Sequence, residues 1–146
     1  MLPIDSILPH LLDSLEQHNT VLLQAPPGAG KTTRVPPALL NACWRSGGKI
    51  LMLEPRRLAA RSAARFMAHQ LGEKAGQTVG YRTRLDSQIG PDTQIEVVTE
   101  GILTRLIQQD PMLEDYAAVL FDEFHERSLH ADLGLALVRE SQQALR

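Results

Sequence analysis

Short apolar runs and amphipathic stretches take turns along this chain. Between Asp5 and His18, Ile7, Leu8, Leu11, Leu12 and Leu15 recur at helical spacing, with Asp5 or Ser6 as the expected cap. Val21-Leu22-Leu23 is a continuous apolar run leading into Gln24-Ala25-Pro26-Pro27-Gly28, a buried strand followed by a loop. A helix is expected from Lys31 to Trp44, disturbed early by Pro36-Pro37 and ended near Gly47-Gly48. Ile50 to Leu53 reads as a second buried strand, and Arg56 to Leu71 as an Ala- and Arg-rich helix stopped by Gly72. Thr78 to Arg84 reads as a short strand, Gly90-Pro91-Asp92 as a turn, Ile95 to Val98 as a strand and Gly101 to Gln109 as a short helix. Ala117 to Phe121 is the next strand, and Ala131 to Ala144 the last expected helix.

The strand runs are apolar throughout rather than alternating. Strands buried on both faces read that way, so the expected class is α/β, a parallel sheet covered by helices on both faces. No repeat, low-complexity tract or linker interrupts the 146 residues, which suffice for one domain with a sizeable core. The last expected element is a helix with no strand after it, which suggests a piece of a longer protein.

Composition narrows the picture. At 43% hydrophobic and 22% charged, the chain is globular in type, and no apolar run approaches a bilayer span. The start, MLPIDSILPHLL, lacks a basic region and does not look like a signal peptide. Cys43 is the only cysteine, so no internal disulfide can form and a cytoplasmic location is the default expectation. The net charge of −2 hides an asymmetry: Arg34 to Arg84 holds ten Lys/Arg and two acids, while the rest holds five Lys/Arg and fifteen acids. A basic middle of net +8 is where a polyanion would dock, although solvated helix faces produce the same count.

Residues 25–33 read APPGAGKTT. Gly30-Lys31-Thr32 fit the end of a phosphate-binding P-loop, with Ala25 where the first Gly is usual. The small residues Ala25, Gly28, Ala29 and Gly30 let backbone N–H groups curl around a phosphate chain. Lys31 supplies charge to the β- and γ-phosphates, the Thr32 hydroxyl can ligate Mg²⁺, and the following helix presents its positive end to the anion. The bland alternative, a Gly/Pro-rich turn with a chance lysine, sits poorly with an apolar run before the loop and a helix after it.

A P-loop needs an acid at the end of a neighbouring hydrophobic strand to hold the metal. AAVLFDEFHERS, residues 117–128, ends its apolar run in Asp122-Glu123, where folding alone asks for no pair of like charges. Asp122 suits the metal, and Glu123 can orient and deprotonate an attacking water. The same stretch superficially resembles an HExxH zinc site, but His125 and His130 are five apart, so on a helix they diverge by about 140°. His10, His18 and His69 read as ordinary helix residues, and Cys43 and Trp44 as packing residues.

Asp122-Glu123-Phe124-His125 resembles a DEAH box with Phe124 in place of Ala. With APPGAGKTT, the chain resembles the first RecA-like domain of a superfamily 2 DEAH-box helicase, in pattern the bacterial HrpB-type branch. Further segments agree: Leu2-Pro3-Ile4, Pro55 to Ala60 as motif Ia, Val79 to Arg84, and Thr99 to Leu103 as motif Ib with Glu100 where Asp is frequent. The resemblance implies that residues 1–146 are the N-terminal ATP-binding domain of a helicase that couples ATP hydrolysis to strand translocation or unwinding. It implies that Gly28, Gly30, Lys31, Thr32 and Thr33 cradle the triphosphate and Mg²⁺, that Asp122 holds the Mg²⁺ through water, and that Glu123 is the catalytic base. Arg65 would stack on the nucleotide base; Arg56, Arg84 and the Thr99-Glu100-Gly101 turn would touch the nucleic-acid backbone; His125 would couple the two sites.

The implied partners are single-stranded nucleic acid, RNA ahead of DNA, and a second RecA-like domain supplying arginine fingers; no membrane is implied. By itself this stretch would bind nucleotide weakly and turn it over poorly. Arg56 and Arg57 open a helix, where cations are disfavoured, which strengthens the case for an anionic partner. The bland readings are an exposed stripe for Arg61 and Arg65 and a simple helix cap for Thr99-Glu100-Gly101. The alternative function is a P-loop regulatory module that moves no strand, which nucleic-acid stimulation of ATP hydrolysis would exclude.

Overall fold

The computed structural model describes residues 3–18, 20–25, 31–42, 45, 47–122 and 131–137. A short 3₁₀ turn, Pro3–Ser6, leads into helix α1 (Leu8–Gln17). The expected cap is corrected here. Ile7 occupies the cap position and makes no side-chain cap bond, and Pro9 stands in the first turn, where a missing N–H costs nothing. Asp5 instead lies 3.9 Å from the Arg34 guanidinium, bringing the chain start to the next helix.

Strand β1 (Thr20–Ala25) is followed by helix α2 (Lys31–Leu39). The helix is shorter than expected from its sequence. Pro36 and Pro37 have no N–H to donate to the carbonyls of residues 32 and 33, which weakens the ladder one turn before it ends. Strand β2 (Lys49–Leu53) starts after two glycines with separate roles. Gly47 takes a positive φ of 82°, and a Cβ on Gly48 would sit 2.8 Å from the Ala117 side chain. Helix α3 (Arg57–Gln70), strands β3 (Val79–Arg82), β4 (Ser87–Gln88) and β5 (Ile95–Val98), helix α4 (Glu100–Gln109) and strand β6 (Tyr116–Asp122) follow.

The final expectation, a helix from Ala131 to Ala144, is overturned over its described part. Ala131–Leu137 is strand β7, lying between β1 and β6 and antiparallel to both. Leu133, Leu135 and Leu137 recur every second residue, the strand period. β1 and β6 also present facing edges whose N–H and C=O groups need partners, and β7 satisfies both rows at once.

The described strands form one sheet in the order β1-β7-β6-β2-β5-β3-β4. Pairs β6–β2, β2–β5 and β5–β3 are parallel, while β7 and the two-residue edge strand β4 run antiparallel. The sheet is therefore mixed and mostly parallel. Helices cover both faces. Leu11, Leu15, Val35, Leu39 and the Ala60, Ala64, Met67, Ala68 stripe of α3 pack on Ile50, Met52, Val79, Tyr81, Ile95, Val97 and Leu120. Ile102 and Leu103 of α4 pack on Leu51, Val98, Tyr116 and Val119 on the other face. Strand residues alternate between these clusters, which is why the strands read as continuously apolar. Among the described residues no helix is long and apolar enough to cross a membrane.

Candidate nucleotide site and nucleic-acid cleft

β1 and β6 both pair antiparallel with β7, so they run parallel to each other and to β2, β5 and β3. Five strands therefore end on one edge of the sheet, where open α/β sheets bind their ligands. The residues singled out in the sequence divide along that edge into two groups.

The first group belongs to β1, α2 and β6. Leu133 of β7 faces Leu23 on one side and Asp122 on the other, so the backbone of Asp122 lies level with the end of β1. Two strand spacings separate them, about 10 Å. Ala25 ends β1, and Lys31, Thr32 and Thr33 form the first turn of α2, which carries no acid. The fold thus brings a helix N-terminus and the expected metal-binding acid to one end of the sheet. Gly28, Ala29, Gly30, Glu123, Phe124 and His125 lie outside the described residues, as do His130, Cys43 and Trp44. Thr32 as a hydroxyl and Asp122 as a carboxylate are the hard oxygen donors that Mg²⁺ takes alongside phosphate.

The second group surrounds a cleft of about 930 Å³. Leu53 of β2 registers with Val98 of β5, and Val98 with Arg82 of β3. The segments leaving these strands, Pro55 to Ala59, Thr99, and Thr83 to Leu85, line the cleft. Arg56, Arg57, Arg84 and Thr99, named from the sequence, meet here, joined by Leu58 and Leu85, which sequence reasoning did not single out. Their only signal was their place within the same short segments. Among the described residues, none forms an ion pair with Arg56, Arg57 or Arg84.

Local chemistry holds these groups out. Thr83 N–H donates to the Asp86 carbonyl at 2.8 Å, the Thr83 hydroxyl donates to the same carbonyl at 2.8 Å, and Asp86 N–H donates to the Thr83 Oγ1 at 3.1 Å. Tyr81 donates its hydroxyl to the Asp86 carboxylate at 2.9 Å. The braced turn leaves Arg84 and Leu85 exposed at its tip. Burial first, then the bond to Asp86, raises the Tyr81 pKa above its ordinary value. On the other wall, α3 begins after an extended Arg56 with no side-chain cap bond and no acid in the first turn. Thr99 holds the cap position of α4, again with no side-chain cap bond. Its part in the turn is therefore not that of a side-chain cap, and Glu100 and Gly101 stay exposed beside it. Two helix N-termini open towards one basic cleft, an arrangement that favours anions.

Arg65 does not line the cleft. It follows Arg61 by one helical turn, and Arg61 lies 3.8 Å from Asp86. Arg65 itself is exposed. α3 also packs against α2. His10, His18 and His69 are exposed helix or helix-end residues, and among the described residues no group of three His, Cys, Asp or Glu converges.

A buried carboxylate ties β5 to its neighbours β2 and β3 and to β6. Glu96 of β5 is 2% exposed; it accepts from Lys49 Nζ at 3.1 Å and from the Tyr116 hydroxyl at 2.9 Å, with Arg82 at 3.9 Å. Burial, then the Glu96 carboxylate, raises the Tyr116 pKa well above its ordinary value of 10.0. A raised folded-state pKa favours the protonated form, so its contribution is intact below pH 10 and is lost as pH climbs through the folded value. Alkaline denaturation is expected to begin near pH 10, and Tyr116→Phe should flatten the fall while lowering stability at neutral pH. Melting curves from pH 8 to 11 check this; an unchanged alkaline slope in the variant would count against it.

The DEAD/DEAH box helicase family matches residues 5–134. The chain belongs to that family. It is 56% identical over 145 residues to the ATP-dependent RNA helicase HrpB of Escherichia coli, covering 99% of this chain and 18% of that protein. It is 37% identical over 145 residues to the ATP-dependent RNA helicase DHX33 of Drosophila melanogaster, covering 99% of this chain and 21% of that one. The crystal structure of the E. coli DEAH/RHA helicase HrpB superposes with a TM-score of 0.84 and 48% identity, over 99% of this chain and 18% of the other. The chain thus spans about a fifth of the length of these relatives. The mostly parallel sheet flanked by helices is consistent with the RecA-like fold of a helicase ATPase domain.

Proposed function

We propose that this chain is the first RecA-like, ATP-binding domain of an ATP-dependent RNA helicase, and that the carboxyl edge of its sheet carries both working sites. Gly28, Gly30, Lys31, Thr32 and Thr33 cradle the triphosphate, Thr32 and Asp122 hold Mg²⁺, and Glu123 accepts the proton of the attacking water. Bound Mg²⁺ supplies charge neutralisation at the phosphates. His125 links the nucleotide to the strand-binding cleft. Arg56, Arg84 and the Thr99-Glu100-Gly101 turn hold the sugar-phosphate backbone of a single strand. Arg65, exposed on α3, stacks on the nucleotide base.

The observation that carries this reading is the convergence of Arg56, Arg57, Arg84 and Thr99 at the ends of three adjacent parallel strands. The same edge continues to Asp122 through β6, which registers directly with β2. A strand in the cleft and a nucleotide beyond β6 would therefore act on neighbouring elements of one rigid sheet. The second RecA-like domain is the expected source of the remaining catalytic arginines.

The test is ATP hydrolysis by the full-length protein with and without single-stranded RNA, across salt concentrations. Stimulation should fall steeply with salt, as phosphate contacts release counterions. In Arg56→Ala/Arg84→Ala, RNA affinity should drop and the salt slope flatten by about one to two contacts, with ATP affinity retained. A wild-type protein insensitive to RNA at low salt would instead support a nucleotide-operated switch.

A further inference from the structure

Among the described residues two carboxylates are buried, Glu96 and Glu54. Glu96 ties strands together, whereas Glu54 has no part in the chemistry of either site. It is 3% exposed and directly follows the apolar run of β2. Its N–H donates to the Val98 carbonyl at 2.9 Å, so the ladder between β2 and β5 continues through it. Ile50 and Met52 pack on the face covered by α1, α2 and α3, while Leu51 and Leu53 pack on the other. Glu54 continues the Ile50–Met52 row and so turns towards α2 and α3. Both helices begin just past this edge and carry no acid in their first turns. Burying a carboxylate is costly, and the positive ends of two helices offset part of that cost.

We propose that Glu54 is a positioning residue that couples strand binding in the cleft to the nucleotide site while touching neither ligand. The proposal rests on the reading of these two sites as nucleic-acid and nucleotide sites. Leu53 registers with Val98 on one side and with Phe121 on the other. One residue on, Glu54 stands between Thr99, at the head of α4, and Asp122, at the end of β6. Pro55 and Arg56, the next residues of its own chain, line the cleft together with Thr99. A movement of Arg56 or Thr99 onto a phosphate therefore reaches Glu54 through one or two peptide units, and Asp122 through the adjacent strand. Coupling between sites needs a contiguous element that both can bias. A buried charge serves this better than an apolar side chain. In a low dielectric its energy depends steeply on the dipoles around it, so a small shift of β2 against β5 or β6 is felt at once.

The test is Glu54→Gln in the full-length protein, which keeps the shape of the side chain and removes its charge. Affinity for a non-hydrolysable ATP analogue is measured with and without single-stranded RNA, RNA affinity with and without the analogue, and ATP hydrolysis in both states. In the unaltered protein each ligand should change the affinity of the other by the same factor. In Glu54→Gln that factor should approach one and RNA stimulation should fall by about tenfold, while the affinity for each ligand alone stays within about threefold. Glu54→Asp, which keeps the charge but withdraws it by one methylene, should show an intermediate loss, and it decides the matter if the amide does not fold. Unchanged coupling in the folded variants overturns the proposal. So does an equal fall of hydrolysis with and without RNA, which would place Glu54 in the chemistry. A joint loss of both single-ligand affinities and of the urea midpoint would mean that Glu54 only holds the sheet, and overturns it too. If the unaltered protein responds to RNA and the variants respond equally, this proposal alone falls. If the unaltered protein does not respond, the reading of the cleft falls with it.

Discussion

Glu123→Gln is expected to lower RNA-stimulated ATP hydrolysis of the full-length protein by about 10²–10⁴-fold, the range for loss of a general base. ATP and RNA affinities should remain near those of the unaltered protein. The amide keeps the shape of the side chain and can still donate to a water, but it cannot accept the proton that leaves as the water attacks. The groups expected to bind the triphosphate, Lys31, Thr32 and Asp122, are untouched. Single-turnover hydrolysis together with equilibrium nucleotide binding separates chemistry from binding. Hydrolysis within a few-fold of the original rate would mean that another group takes the proton. A parallel loss of ATP affinity would place Glu123 in binding instead.

The second large effect is on stability. Glu96→Ala is expected to lower the unfolding free energy by about 3–5 kcal/mol, as when one member of a buried ion pair is removed. The alanine leaves the Tyr116 hydroxyl buried without its acceptor and Lys49 without its charge partner. It also leaves a cavity beside β5. The cost should come mainly from the stranded partners rather than from the lost attraction. Replacing the three groups together, Lys49→Met/Glu96→Leu/Tyr116→Phe, should therefore recover much of the loss, because only the part-exposed Arg82, which water can solvate, is left without its partner. Urea denaturation followed by circular dichroism decides between these outcomes. If the triple variant is as unstable as Glu96→Ala, the charge network itself is what stabilises the sheet.

These effects act at different distances from the chemistry. Glu96 lies on β5, whose next residues, Val97, Val98 and Thr99, run directly to the cleft. Loosening β5 against β2 and β3 would shift all three cleft segments at once. A partial loss of RNA affinity in Glu96→Ala is thus compatible with an indirect effect, whereas Arg56→Ala/Arg84→Ala removes contacts and should leave the melting temperature nearly unchanged.

Much of this protein is legible in local sequence. The apolar runs at Ile50–Leu53, Ile95–Val98 and Ala117–Phe121 mark strands because each side chain is buried on one face or the other of a covered sheet. The proposed nucleotide site rests on the sequence alone at Gly28, Gly30 and Glu123, because phosphate and metal binding demand particular residue types at fixed spacing. Arg56, Arg84 and Thr99 were legible from short segments whose order matches a helicase.

What local spacing does not contain is the identity of neighbours far along the chain, and there the tertiary structure decided. Ala131–Leu137 has both a helical composition and a two-residue leucine period; the paired open edges of β1 and β6 select the strand. Arg61 and Arg65 read as one exposed stripe, and only the tertiary structure shows that Arg61 lies against Asp86. Glu96 looks like a polar interruption of an apolar strand until Lys49, Arg82 and Tyr116 are brought to it from other strands. Leu58 and Leu85 are ordinary leucines in sequence. Their exposure, and their place beside three arginines, exist only because parallel strands end together on one edge.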